Sequence, residues 1–224
     1  MRLKTITLTG ADDNTKHLDM MTLTKKYPRV EWGILIGGSL DKSRYPSDEW
    51  MKELSKWDLP ISVHVCGKWS RELLEGKCPP HVKMLNAQRV QLNCAFGKRK
   101  ITNDVIKKAA NVTAQNGAKL ILQVGNPIST LYHHPPTPHM DVLFDASGGR
   151  GQEIKELPKP VDNIGWNGYA GGIGLDNLTP TLDKINIMHG LRNSWIDMES
   201  KLRKDDKFDL DTCEEILQYC HALF

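Results

Sequence analysis

RVQLNCAFGKRKITNDVIKKAANVTAQNGAKLILQV (89–124) holds an apolar run, an amphipathic segment and a second apolar run in direct succession. RVQLN (89–93) and AKLILQV (118–124) read as short strands, rich in Val, Ile and Leu and nearly free of charge. Between them, NDVIKKAANVTAQNG (103–117) has the helical period, and Gly117 falls where a C′ glycine ends the helix that Asn103 begins. A strand, a helix and a strand in that order make a parallel pair with a crossover helix.

The same unit recurs in both directions. LKTITLTG (3–10) precedes a helix-like 14–27, EWGILIG (31–37) precedes SDEWMKELSKW (47–57), and PISVHVCG (60–67) precedes WSRELLEG (69–76). Beyond 124 come DVLFDASGG (141–149), GYAGG (168–172) and SWIDMES (194–200). Ser47 reads as an N-cap, followed by Trp50, Leu54 and Trp57 at helical spacing. Thr179 and Pro180 read as N-cap and first helical residue, with Leu182, Ile185 and Met188 as the buried stripe. In the last segment Asp211 and Glu214 have N-cap and N3 spacing, and Cys213, Ile216, Leu217 and Cys220 form an apolar core face. Eight strands in 224 residues fit a closed (β/α)8 barrel, a single domain over 1–224, better than an open doubly wound sheet. The fifth unit is irregular: GNPISTLYHHPPTPHM has four prolines and no helical period, so a loop is expected in place of the fifth helix.

Composition narrows the function. The chain is 39% hydrophobic and 25% charged, and Lys+Arg 30 against Asp+Glu 27 leaves a net charge of +3. That balance argues for no nucleic-acid partner and no membrane-surface partner. No apolar run approaches the ~20 residues of a bilayer span. The N-terminus carries no signal-like apolar stretch, and the five cysteines show no CxxC spacing, so a reducing cytoplasmic setting is expected.

In a barrel of this class the chemistry lies at the carboxyl ends of the strands. Two glycine clusters follow strand ends: Gly148-Gly149-Arg150-Gly151 after the sixth, and Gly171-Gly172-Ile173-Gly174 after the seventh. Glycine lets the backbone approach an anion, and a helix start beyond it adds a positive dipole end, so a phosphate site is expected there.

Taken together, the strand ends resemble those of phosphoribosylanthranilate isomerase. DVLFDASGGRG (141–151) is similar to that family's sixth-strand segment, and GYAGGIGLDNL (168–178) to its seventh, AGGL-x-x-x-N. SWIDMES is similar to its eighth-strand D-V-S-S-G, followed here by KLRKDDKFDLDTCEEIL (201–217). Lys42-Ser43-Arg44-Tyr45-Pro46 resembles its S-x-R-x motif, and RVQLN its V-Q-L-H-G. The resemblance spans nearly the whole chain and is poorest in the fifth unit.

It implies an Amadori-type aldose-to-ketose rearrangement of a phosphorylated small molecule by general acid–base catalysis. No cofactor and no metal are expected, and the chain is expected to be a monomer or homodimer. Asp145 matches the family's acid. Arg44 matches the guanidinium that orients the substrate's carboxylate, for which a planar fork is suited. Gly148, Gly149, Gly151, Gly171, Gly172 and Ser200 match its phosphate side. The departure is at the base: where the family has a cysteine at the end of strand 1, this chain has Thr9 before Gly10. A thiol can be tuned to thiolate, whereas a hydroxyl needs a base of its own. Glu199-Ser200-Lys201 also replaces a small Ser-Ser-Gly: the carboxylate would repel phosphate, with Lys201 available to compensate, and Asn93-Cys94 replaces His-Gly. Asp12, Asp13, His17, His64 and Cys66 are the nearby candidates for the base, and His133, His134 and His139 in the Pro-rich loop raise a metal hypothesis. Two functions follow: a phosphosugar isomerase of altered specificity, or a non-catalytic barrel that binds a phosphorylated metabolite.

Overall fold

The computed structural model describes residues 2–37, 43–93, 102–124, 140–145, 157–162, 164–190 and 192–223. Eight strands form a closed barrel in chain order: β1 Arg2–Thr9, β2 Val30–Ile36, β3 Ile61–Val65, β4 Arg89–Leu92, β5 Lys119–Val124, β6 Met140–Asp145, β7 Asn167–Ala170 and β8 Asn193–Met198. Every neighbouring pair is parallel, and β1 closes the ring against β8. The (β/α)8 barrel expected from the sequence is the fold of the chain. Among the described residues seven helices accompany it: α1 His17–Lys26, α2 Asp48–Leu54, α3 Gly67–Leu74, α4 Pro80–Met84, α5 Asn103–Gln115, α6 Leu178–His189 and α7 Leu210–Leu223. A small hairpin of β9 Arg203–Lys204 and β10 Lys207–Phe208 lies between β8 and α7. The expected loop in place of a fifth helix falls at 125–139, outside the described residues.

Local signals act much as the sequence suggests. Ser47 Oγ accepts from the Trp50 amide at 3.2 Å, and Gly117 follows α5 with φ of +80°. Two helix starts differ. α6 begins at Leu178, because Asn177 closes the preceding turn: it accepts from the Gly174 amide and donates to the Gly172 carbonyl, each at 2.9 Å. Thr179 therefore sits inside the first turn with its hydroxyl against Tyr219 on α7, and Pro180 occupies a first-turn position where its missing N–H costs nothing. His189, bonded to the Tyr169 hydroxyl, completes the buried stripe in place of Met188. α7 begins at Leu210, and Asp209, which accepts from the Thr212 hydroxyl at 2.6 Å, stands where Asp211 was expected. Cys213, Ile216, Leu217 and Cys220 are buried as expected.

The strands divide their two faces unequally. Outward positions such as Ile34, Val63, Val90, Leu120, Phe144 and Ile196 pack beneath the helices in one continuous apolar core. Inward positions are largely polar. Near the amino ends of the strands, Arg89 makes two bonds to Glu31, at 2.6 and 2.8 Å, and one to Asp141 at 3.3 Å, while Lys119 joins Asp141 at 2.5 Å. The Arg89 guanidinium lies 4.5 Å from the Trp195 ring centroid and 5.3 Å from that of Trp166. Trp195, Ile121, Leu143 and Ala170 form a separate small apolar cluster inside the barrel. Gly168 makes room for Trp195: a Cβ there would stand 2.3 Å from the indole. An ion network over an apolar layer closes the barrel floor and leaves the carboxyl-end mouth open.

Candidate active site

At the carboxyl ends of the strands lies an open cleft. β6, β7 and β8 supply its wall: Asp145, Ala170 and Asp197 are successive register partners and occupy one inward-facing row. Two strand spacings separate the carboxylate-bearing Cα atoms, roughly 9–10 Å. β4 and β5 add the amides Gln91, Asn93 and Gln123, and the loops after β2, β7 and β8 add Arg44, Gly171, Gly172, Glu199 and Ser200.

The two carboxyl groups are held differently. Asp145 accepts from Gln123 Nε2 at 2.6 Å. Asp197 accepts from Thr9 Oγ1, also at 2.6 Å. Burial pushes the Asp197 carboxyl up to about 8, against the Thr9 hydrogen bond, and the charges of Glu199, Glu31 and Asp145 act in the same direction as burial. Near neutrality Asp197 therefore carries a proton, and it lines a space that a ligand can enter.

Arg44, Asp145, Gly171, Gly172 and Ser200 line this one cleft. Thr9 does not line it; it is buried behind Asp197 and acts on the cleft through that residue. Gly148, Gly149 and Gly151 lie outside the described residues, as do Cys94, His133, His134 and His139. Arg44 is engaged by Glu199, Nη1 to Oε1 at 2.5 Å. Lys201 does not offset Glu199, because it pairs with Asp176.

The other candidates for a base serve the framework. Asp12 is bound by Arg203 at 2.9 Å, and Asp13 accepts from the Ser47 hydroxyl at 2.7 Å. His17 packs against Trp50, 4.6 Å between centroids, and burial lowers its pKa. His64 is lowered to about 3 by burial and by Arg89, so its imidazole stays neutral inside the barrel. Cys66 stands at the N-cap of α3 beside Asn93, 3.4 Å from Nδ2, and burial pushes its thiol up. It remains a protonated thiol. Among the described residues, no group of three or more His, Cys, Asp and Glu side chains is arranged to hold a metal.

Asp197, Gln123 and Gln91 were not among the residues singled out from the sequence, and Glu199 was noted there only as a charge that would repel phosphate. Their signal was parity: Arg89, Gln91 and Asn93, or Asp197 and Glu199, are polar residues at alternate positions of apolar runs. That pattern places them together on the inward face.

No family model matches the sequence, and no curated protein matches it. Solved structures do resemble the fold. A truncated 3-deoxy-D-arabino-heptulosonate 7-phosphate synthase from Thermotoga maritima shares 14% identity at a TM-score of 0.57, over 99% of this chain and 86% of that one. A mutant tryptophan synthase α-subunit from Pyrococcus furiosus shares 13% at 0.54, over 96% and 94%. A sugar phosphate isomerase/epimerase from Parabacteroides distasonis shares 12% at 0.52, over 99% and 97%. At such identities the likeness is one of fold: the protein is a (β/α)8 barrel. None of the described helices is long and apolar enough to cross a membrane.

Proposed function

We propose that this barrel is a sugar isomerase working by general acid–base proton transfer, related in chemistry to the phosphoribosylanthranilate isomerase reaction but altered in specificity. One observation carries the reading: Asp145 and Asp197 flank Ala170 in a single row on the cleft wall, and Asp197 holds its proton up to about 8. An aldose-to-ketose rearrangement needs one group to give a proton to oxygen and another to take one from C2. With the substrate ring opened, C2–H is broken, its electron pair forms the C1–C2 double bond, and O1 is protonated. Return of a proton to C1 and loss of the O2 proton give the ketone, with no oxidant or reductant consumed. Asp197 is the proton donor and Asp145 the acceptor, the reverse of the role that the resemblance implies for Asp145. Thr9 positions Asp197 and is not itself the base. Gly171 and Gly172, leading through Asn177 into the N-terminus of α6, are assigned to a phosphate on the substrate.

The experiment follows C2–H by proton NMR in D2O with a panel of aldoses and aldose phosphates. Exchange at C2 with ketose formation, lost in Asp145→Asn and in Asp197→Asn, is the expected result. The second reading, a binding barrel without turnover, is favoured by the hydroxyl of Thr9 where a thiol is expected and by the engagement of Arg44 with Glu199. Ligands that raise the melting temperature without C2 exchange would establish it. Neither exchange nor stabilisation across the panel removes both readings.

A further inference from the structure

The rim of the cleft between the β2 and β8 loops carries an acid–base pair of its own making. Arg44 Nη1 and Glu199 Oε1 meet at 2.5 Å, and both side chains face the cleft, 37% and 27% exposed. The two loops are fastened together beside the pair. Ser43 donates to the Asp206 carboxylate at 2.8 Å, and Arg203 donates to Ser43 at 2.9 Å, to Asp12 at 2.9 Å and to the Gly10 carbonyl at 2.8 Å. Arg203 thereby ties the loops after β1, β2 and β8 into one unit, and Glu199 is presented to Arg44 rather than meeting it by chance.

We infer that Glu199 is a built-in carboxylate occupying the anion-binding edge of Arg44, so that this end of the cleft takes the neutral hydroxyls of a sugar and rejects a carboxylate or phosphate. The inference rests on the reading of the cleft as a substrate site and narrows the substrate class it takes. A tethered carboxylate competes at an effective concentration in the millimolar range or above, so a free anion must displace it. A guanidinium has five N–H donors, of which the Glu199 contact uses one. Those that remain suit neutral acceptors. A substrate bearing an aryl carboxylate against Arg44, as the resemblance implies, is disfavoured, and any phosphate belongs with Gly171 and Gly172 rather than with Arg44.

Acetate, benzoate and inorganic phosphate, with neutral benzamide as control, are titrated by calorimetry into wild type, Glu199→Ala, Glu199→Gln and Glu199→Ala/Arg44→Met. Both Glu199 variants are expected to bind at least one anion about tenfold or more tighter than wild type, the worth of a charge-assisted hydrogen bond. The double variant loses the gain, and benzamide is indifferent throughout. Equal anion binding by wild type, no gain in either Glu199 variant, or a gain that survives loss of Arg44 overturns the inference. The readout is independent of C2 exchange, so an inactive protein still tests it.

Discussion

Thr9 and Asp197 share a 2.6 Å hydrogen bond that joins the end of β1 to the end of β8 just beneath the cleft. Thr9 is 1% exposed and Asp197 7%, so the contact is made almost wholly out of water. Burial raises the carboxyl to about 8 while the hydroxyl pulls in the opposite direction, holding the ionised form within reach of physiological pH.

The first prediction concerns pH. Activity that needs a protonated Asp197 declines as pH rises through about 8. Thr9→Val removes the bond that favours the carboxylate, so the alkaline limb of kcat moves to higher pH, while Thr9→Ser leaves it in place. Stability follows the sign of a raised acid: the native state binds the proton more tightly than the unfolded chain, with its carboxyl near ~4. The Asp197 contribution is therefore full below that value, falls as pH rises, and is exhausted above about 8. Asp197→Asn flattens this decline and gains stability relative to wild type at pH 9, measured by urea unfolding across the range. A kcat profile unchanged in Thr9→Val would break the link.

A second prediction turns on Gly33, whose register partner on β1 is Thr9. A Cβ at Gly33 would stand 2.1 Å from Thr9 Oγ1 and 3.0 Å from His64 Cε1. Gly33→Ala forces Thr9 off its rotamer, at a cost of about 1–3 kcal/mol typical of overpacking. The alkaline limb should shift in the same direction as in Thr9→Val. Adding Thr9→Gly to Gly33→Ala recovers space and some stability but leaves the limb shifted, which separates loss of position from loss of fold.

The third concerns the barrel floor. Arg89→Met leaves buried Glu31 without a cationic partner and buried Asp141 with Lys119 alone, and should cost about 3–5 kcal/mol in urea unfolding at pH 7. Replacing Glu31 and Asp141 together with Arg89 by apolar residues recovers much of that loss, because the penalty comes from uncompensated charge. A triple variant no more stable than Arg89→Met would show that the network carries stability of its own.

The fold was legible because its signal is local and repeated. Each apolar run is short, each helix has its own stripe and stop, and parallel strands joined by helices leave few alternatives. The misplaced helix starts show the limit of that reading. Thr179-Pro180 is a sound capping pair by type, yet Asn177 closes the turn earlier through bonds to Gly172 and Gly174. The site was legible in part. Asp145 and the Gly171-Gly172 turn sit at strand ends and could be found from order alone. Asp197 was read as part of an apolar run, since nothing nearby in sequence reveals that Thr9, 188 residues away, meets it.

The amino-acid sequence by itself determined that eight parallel strands close into a barrel, because hydrophobic periods, caps and glycine stops act within a dozen residues. Only the tertiary structure decided which polar side chains turn inward together, that Glu199 takes Arg44, and that the Asp197 carboxyl keeps its proton. Those properties depend on distances and burial set by the closure of the ring, which bring together residues from opposite ends of the chain.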